Sequence, residues 1–285
     1  MDPALSLPPI NTRELLDDTG LHAKKRLGQN FLADQTILRE IVRIAGVTPV
    51  DEVLEIGAGL GSLTRELATC AKRVAAVEID PRLIHILKKV MKPFANTAIV
   101  EGDILKLEPE TLVSSPGYLV VANIPYYITS AVIRHLLESR EKPARMVLTV
   151  QKEVAERICA EPGGMNLLAL SVQVYGNPEI VLHIPATAFH PVPEVDSAVL
   201  RIELFPSPAI PAELLGVFFL LAKAGFSQKR KTLRNSLSGG LRLPTAQVET
   251  ILKSSGIDPQ RRAETLSIEE WAVLTGVYCQ NFKVS

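Results

Sequence analysis

The stretch Glu52-Val-Leu-Glu55-Ile-Gly57-Ala-Gly59-Leu-Gly61-Ser62 leaves this chain few architectures to choose from. A short apolar run gives way to three glycines spaced two apart, then to a helix start with Leu63, Leu67 and Ala68 on one face. Strand, glycine turn and helix in that order open a β-α-β unit, and the alternation continues downstream. Residues 74–79 read as a second buried strand ending in Glu78-Ile79-Asp80-Pro81, followed by a helix over 82–90. Residues 97–100 give a third strand ending in Glu101-Gly102-Asp103. Leu119-Val-Val-Ala122 gives a fourth, followed by Asn123-Ile124-Pro125-Tyr126-Tyr127 and a helix near 130–138. A fifth strand at 145–150 precedes a helix near 152–160, and 179–184 and 197–204 read as the last strands. Residues 167–175 are apolar and ambiguous between helix and strand. Upstream, Asp34 caps a helix over 35–45 with Ile37, Leu38, Ile41, Val42 and Ala45 on one face. The fold class is therefore α/β, a doubly wound and mostly parallel sheet.

Pro206, Pro208 and Pro211 mark a linker, and beyond it the patterns are wholly helical, over 213–224, 231–237, 245–254 and 268–280. Thr245 and Ser267 are the expected N-caps, with Gly239-Gly240 and Gly256 as helix stops. The expected organisation is an N-terminal arm at 1–20, an α/β domain at 21–205 and a small all-helical domain at 206–285. A hydrophobic content of 47% excludes a disordered chain. With 31 basic against 31 acidic residues there is no global pull toward nucleic acid, so any such attraction must come from local clusters. Three are present: Lys24-Lys25-Arg26, Lys229 to Arg234, and Arg261-Arg262. Each reads as a phosphate contact, although a solvated face is what such clusters usually are. Cys70, Cys159 and Cys279 are far apart and odd in number, which points to a reduced, cytoplasmic protein without structural zinc. No apolar run reaches the length of a membrane span.

In open α/β sheets ligands sit beyond the carboxyl ends of the strands. The glycine turn lets a ligand approach the backbone closely, but its G-x-G-x-G spacing departs from the G-x-G-x-x-G of dinucleotide sites. Glu55 beside it disfavours a pyrophosphate and favours a cationic amine. Glu78 stands where an acid holds ribose hydroxyls, and Asp103 could accept from an adenine amino group. Asn123 and Tyr126 suit a flat base carrying an amine, through an amide acceptor and a stacking ring. The same tetrapeptide could equally be an Asx-type turn with packed tyrosines. Four strand ends carrying this set in succession read as an S-adenosylmethionine site followed by an amine acceptor.

Gly28-Gln29-Asn30-Phe31-Leu32, Glu55-Ile-Gly57-Ala-Gly59-Leu-Gly61, Glu78-Ile-Asp80, Gly102-Asp103, Asn123-Ile-Pro125-Tyr126, Gln151-Lys-Glu153-Val-Ala-Glu156-Arg157 and Phe189-His-Pro191-Val-Pro193-Glu-Val-Asp196-Ser197 occur in this order. Together they resemble the ribosomal RNA adenine dimethylases, from about residue 20 to the C-terminus. The resemblance implies a class I methyltransferase fold, with Rossmann-like topology and a helical RNA-binding domain. It implies S-adenosylmethionine held by Asn30, Leu32, Gly57, Glu78, Asp103 and Asn123. It implies a reaction centre of Asn123, Pro125, Tyr126 and Phe189, with both rings gripping a flipped base and no metal. The expected substrate is 16S rRNA in the small ribosomal subunit, where two adjacent adenosines near the 3′ end are methylated at N6. The expected enzyme is a monomer with no membrane partner. The rivals are a 23S rRNA adenine methylase of the macrolide-resistance type, a non-catalytic rRNA-binding assembly factor, and an NAD-dependent oxidoreductase.

Overall fold

Val53, Leu54 and Ile56 are all buried, as are Val74 to Val77 and Leu119 to Ala122. Strands covered on both faces are what a parallel sheet between helices requires. The computed structural model describes residues 10–282 apart from 22, 25 and 26, with residues 13 and 17 described by backbone only. Residues 1–9 of the expected arm, and Lys25 and Arg26 of the first basic cluster, lie outside the described residues.

In chain order the elements begin with α1 (Thr12–Asp18), β1 (Phe31–Leu32), α2 (Gln35–Ala45), β2 (Glu52–Ile56) and α3 (Ser62–Cys70). They continue with β3 (Arg73–Glu78), α4 (Pro81–Val90), β4 (Thr97–Glu101), β5 (Leu119–Asn123), α5 (Thr129–Glu138) and β6 (Arg145–Gln151). Next come α6 (Lys152–Ile158), α7 (Leu167–Gln173), β7 (Gly176–Ile184), β8 (Phe189–His190) and β9 (Ser197–Leu204). The last helices are α8 (Leu215–Gly225), α9 (Leu233–Leu241), α10 (Thr245–Ser254) and α11 (Ile268–Phe282).

Seven strands form one sheet in the order β4-β3-β2-β5-β6-β9-β7. Strands β4 to β6 are parallel, and β9 runs antiparallel to β6. The order reverses direction between β2 and β5, where Ile56 stands opposite Ala122. At such a switch point the two following loops diverge and leave a crevice beyond the strand ends. Asp34 caps α2 as expected, accepting from the backbone of Thr36 and Ile37.

The chain divides into two compact units, one running up to Ala155 and resuming over Glu179–Leu204, the other combining Glu156–Pro178 with Phe205 onward. The composition change at the prolines marks only the last of these three crossings. In the second unit the ambiguous run at 167–175 is a helix, because Asn166 caps it by accepting from Ala169 N at 3.0 Å. Gly239 and Gly240, expected as stops, lie inside α9. A Cβ at Gly240 would fall 2.6 Å from Ala224 Cβ and 2.7 Å from its Cα, so the glycine serves close approach of α9 to α8. The helix ends instead at Arg242, in the left-handed conformation at φ 57°. Pro244, not Thr245, occupies the cap position of α10. Ser267 does cap α11: it accepts from Glu270 N at 3.3 Å while Glu270 accepts from Ser267 N at 2.9 Å, a reciprocal box.

Candidate active site

Beyond the carboxyl ends of β2 to β5 lies a cavity of about 280 Å³. Its walls are the glycine turn after β2, Glu78 and Ile79, the loop at Gly102–Leu105, the tip at Asn123–Ile128, and the segment at 27–31. Of the residues expected to form the site, Asn30, Gly57, Glu78, Asp103, Asn123, Pro125 and Tyr126 all line it.

The turn is tied to the sheet by Gly57 N and Ala58 N, which donate to Val77 O at 2.9 and 3.1 Å. Gly57 has φ 75°, and a Cβ there would lie 3.4 Å from the Asn123 carbonyl oxygen. Glycine therefore satisfies both an unusual backbone angle and a close approach between two strand ends. Leu32 lies off the main cavity. It borders an adjoining space of about 30 Å³ that it shares with Glu55, Gly57, Gly59 and Asn123.

Glu78 is buried, and its two oxygens accept from Gly59 N and Asp80 N, both at 2.8 Å. Burial pushes its pKa up, while the backbone donors at Asp80, Gly59 and Ile79 pull it back. Each carboxylate oxygen still has a lone pair for a ribose hydroxyl. Asp103 caps the following turn, accepting from Leu105 N at 3.1 Å, and its other oxygen lies 3.7 Å from Lys106 Nζ.

Glu55 is 1% exposed, and its Oε2 has no hydrogen-bond partner among the described residues. Burial pushes this carboxyl up to about 8, the Glu78 charge adding to the effect. The folded state thus holds a proton that the unfolded chain releases in the ordinary carboxyl range. This contribution is complete below that range and is lost as pH rises toward about 8. The slope it adds is at most about 1.4 kcal/mol per pH unit. Glu55→Gln should flatten the decline of unfolding free energy across that window in denaturant titrations. An unchanged slope would mean that Glu55 is already ionised in the fold.

Asn123 is half-buried, and its Nδ2 donates to the Asn30 carbonyl at 3.0 Å. That bond fixes the amide so that Oδ1 is the acceptor left to the cleft. The Pro125 carbonyl already accepts from Ile128 N at 3.1 Å. Tyr126 is steered by a bond between its hydroxyl and Ser197 Oγ at 2.8 Å. Phe189 is not in the cleft. It pairs with Leu32 across β8 and β1 and is 2% exposed within the core that also holds Leu38 and Ile41. The exposed ring at the cleft is Tyr127, 60% accessible, with its edge against Gly28, where a Cβ would lie 3.2 Å from Tyr127 Cδ1. The second tyrosine of the Asn-Ile-Pro-Tyr-Tyr run was the only signal for it.

The basic clusters divide in the structure. Lys24 pairs with Asp80 at 3.3 Å and Arg234 with Glu249 at 3.2 Å. Arg261 is held by Glu270 and by the Thr265 carbonyl, which makes it a strut between the loop and α11. Lys229, Arg230 and Lys231 remain exposed, without an ion pair among the described residues. Also among the described residues, no group of three or more His, Cys, Asp and Glu side chains could hold a metal ion. None of their helices is long and apolar enough to cross a membrane.

This set fits S-adenosylmethionine: two acids, Glu78 and Asp103, that could accept from hydroxyl and amino groups, and a glycine turn that a ligand can approach closely. The chain is 47% identical to "Ribosomal RNA small subunit methyltransferase A" of Dehalococcoides mccartyi strain 195 over 274 residues, covering 94% of this chain and 93% of that one. It is 42% identical to the protein of the same name from Geobacillus kaustophilus, covering 96% and 97%. A dimethyladenosine transferase from Plasmodium falciparum superposes with a TM-score of 0.76 at 26% identity, covering 89% of this chain and 98% of that one. The 23S rRNA methyltransferase ErmE superposes with a TM-score of 0.70 at 29% identity, covering 87% and 99%. The sequence profile described as "Ribosomal RNA adenine dimethylase" matches residues 20–278, and the chain belongs to that family.

Proposed function

We propose that the chain transfers methyl groups from S-adenosylmethionine to N6 of two adjacent adenosines near the 3′ end of 16S rRNA, within the small ribosomal subunit. The observation that carries this reading is the Asn123 amide, anchored through Nδ2 to Asn30 so that its carbonyl faces a cleft lined by Glu78 and Asp103. When bound, the cofactor supplies a methyl group on a positively charged sulfur. Glu78 would hold its ribose hydroxyls, Asp103 its adenine amino group, and Gly57 would lie against its methionine part, with Asn30 on the cavity wall and Leu32 in the adjoining space behind Gly57.

The N6 lone pair of adenine is delocalised into the ring and is a poor nucleophile. Asn123 Oδ1 would accept one N6–H, and the Ile124 carbonyl the other. Pro125 is the weaker choice because its carbonyl is already bonded to Ile128 N. Both bonds draw electron density back to nitrogen and aim it at the methyl. The nitrogen becomes acidic only after transfer, so its proton can leave to water without a strong base. Tyr126, its hydroxyl fixed by Ser197, would stack on the flipped base for roughly 1–3 kcal/mol, against a flipping cost of a few kcal/mol.

Small-subunit specificity is supported by the higher identity to the small-subunit methyltransferases, 47% and 42%, than to ErmE at 29%. The second reading, a 23S rRNA methylase, rests on the superposition with ErmE. Labelled S-adenosylmethionine with undermethylated small subunits and, separately, with large subunits tests the two. Dimethylated adenosine in 16S rRNA alone is the expected outcome, and label confined to 23S rRNA would reverse the assignment.

Lys229, Arg230 and Lys231 are exposed and without an ion pair among the described residues, which leaves them able to meet phosphate. Replacing all three with alanine should reduce the slope of log K against log salt by ~0.9 for each phosphate no longer neutralised in duplex-like sites. An unchanged slope would remove this patch from the RNA interface.

A further inference from the structure

One wall of the cleft is the segment at 27–31, every residue of which is only half-buried. Burial alone does not hold it. At its C-terminal end it is pinned by the two-residue pairing of β1 with β8. At its N-terminal end it is pinned by one carboxylate, that of Asp80.

Asp80 is 1% exposed. Its oxygens accept from Lys24 Nζ at 3.3 Å and Gln29 Nε2 at 3.1 Å on the wall side. Gln29 Oε1 in turn accepts from Lys24 N at 2.7 Å, so the two wall-side donors to Asp80 are also bonded to each other. On the helix side Asp80 accepts from Arg82 N at 3.2 Å and from Arg82 Nη2 at 2.7 Å. Its backbone N–H donates to Glu78 Oε1. One buried anion thus ties the wall to the N-terminus of α4 and to the acid placed to hold ribose. The Arg82 guanidinium, with Gln29 and Lys24, keeps Asp80 far below the usual carboxylate range, so it is charged at any physiological pH.

A helix cap alone does not account for these bonds. Asparagine caps a helix about as well as aspartate, and a cap does not need Lys24 or Gln29. We propose that Asp80 is a positioning residue that, through Lys24 and Gln29, clamps the segment at 27–31 against the nucleoside end of the cofactor cleft, so that its charge governs cofactor affinity. This rests on the functional reading above, since it presumes that the cleft takes the cofactor.

The test uses the full-length protein and S-adenosylhomocysteine, titrated calorimetrically into wild type, Asp80→Asn and Gln29→Ala. Asp80→Asn keeps a cap acceptor and removes the charge, whereas Gln29→Ala cuts the wall side without touching α4. Both should raise Kd by about tenfold or more. The loss should fall on KM for the cofactor rather than on kcat. Amide hydrogen exchange should accelerate at 27–32 in both variants while residues 74–77 of β3 keep their protection. Equal binding by wild type and both variants would sink the inference alone, as would faster exchange in α4 with none at 27–32. Failure of wild type to bind would sink the functional reading and this inference with it.

Discussion

Replacing Asn123 with alanine should stop methyl transfer while S-adenosylhomocysteine still binds. The side chain is placed by two features that survive its removal: the β5 backbone, in register with β2 and β6, and the Asn30 carbonyl that takes its Nδ2. What disappears is the side-chain carbonyl proposed to accept from N6, which leaves only the Ile124 carbonyl to do so. Preorganised groups at a reaction centre are worth about 10²–10³ in rate when one is deleted. In the proposed role Asn123 would also orient the nucleophile, and well-oriented reactions draw ~7–11 kcal/mol from positioning, so the loss should reach the upper end of that range or exceed it. Asp in the same place would accept from N6 but could not donate to Asn30, and it should also be slow. Single-turnover rates on undermethylated subunits, with cofactor affinity measured in parallel, check this. A variant within about threefold of wild type would remove Asn123 from the reaction centre.

Replacing Trp271 with alanine should cost about 3–5 kcal/mol of stability, the usual penalty for deleting a buried aromatic. Trp271 is fully buried, stacks on Phe226 with ring centroids 6.0 Å apart, and fills the groove left by Gly225, where a Cβ would lie 2.7 Å from Trp271 Cη2. Its Nε1–H has no hydrogen-bond partner among the described residues, so phenylalanine loses area but no bond. Trp271→Phe should therefore be much milder than Trp271→Ala, and denaturant midpoints of the two variants measure the difference. Equal losses would mean that the ring area phenylalanine retains does not stabilise this site.

The strand ends were legible in the sequence because parallel strands buried on both faces stand out as apolar runs, and because the polar residue that follows each run must face the crevice. That logic located Gly57, Glu78, Asp103 and Asn123 at one cavity before any coordinates. Phe189 was placed at the reaction centre by the resemblance alone, and it does not line that cavity, because a two-residue pairing with Leu32, far away in sequence, turns the ring into the core. No local pattern records such a pairing. The pairing of the basic clusters was hidden for a related reason. Arg234 and Arg261 find Glu249 and Glu270 across helix junctions, and only the fold reveals which cations are already paired. Gly239-Gly240 carried the composition of a stop signal but sits where two helices touch.

A structure of the chain with S-adenosylhomocysteine and free adenosine puts the shared cleft to the proof. The expected density has the ribose hydroxyls of the cofactor product on Glu78 and its adenine amino group on Asp103. Its sulfur should face the tip at Asn123, with a separate adenine bonding through N6 to Asn123 Oδ1 against Tyr126. A cofactor product lying outside the crevice between β2 and β5, or an adenine held away from Asn123, would contradict it.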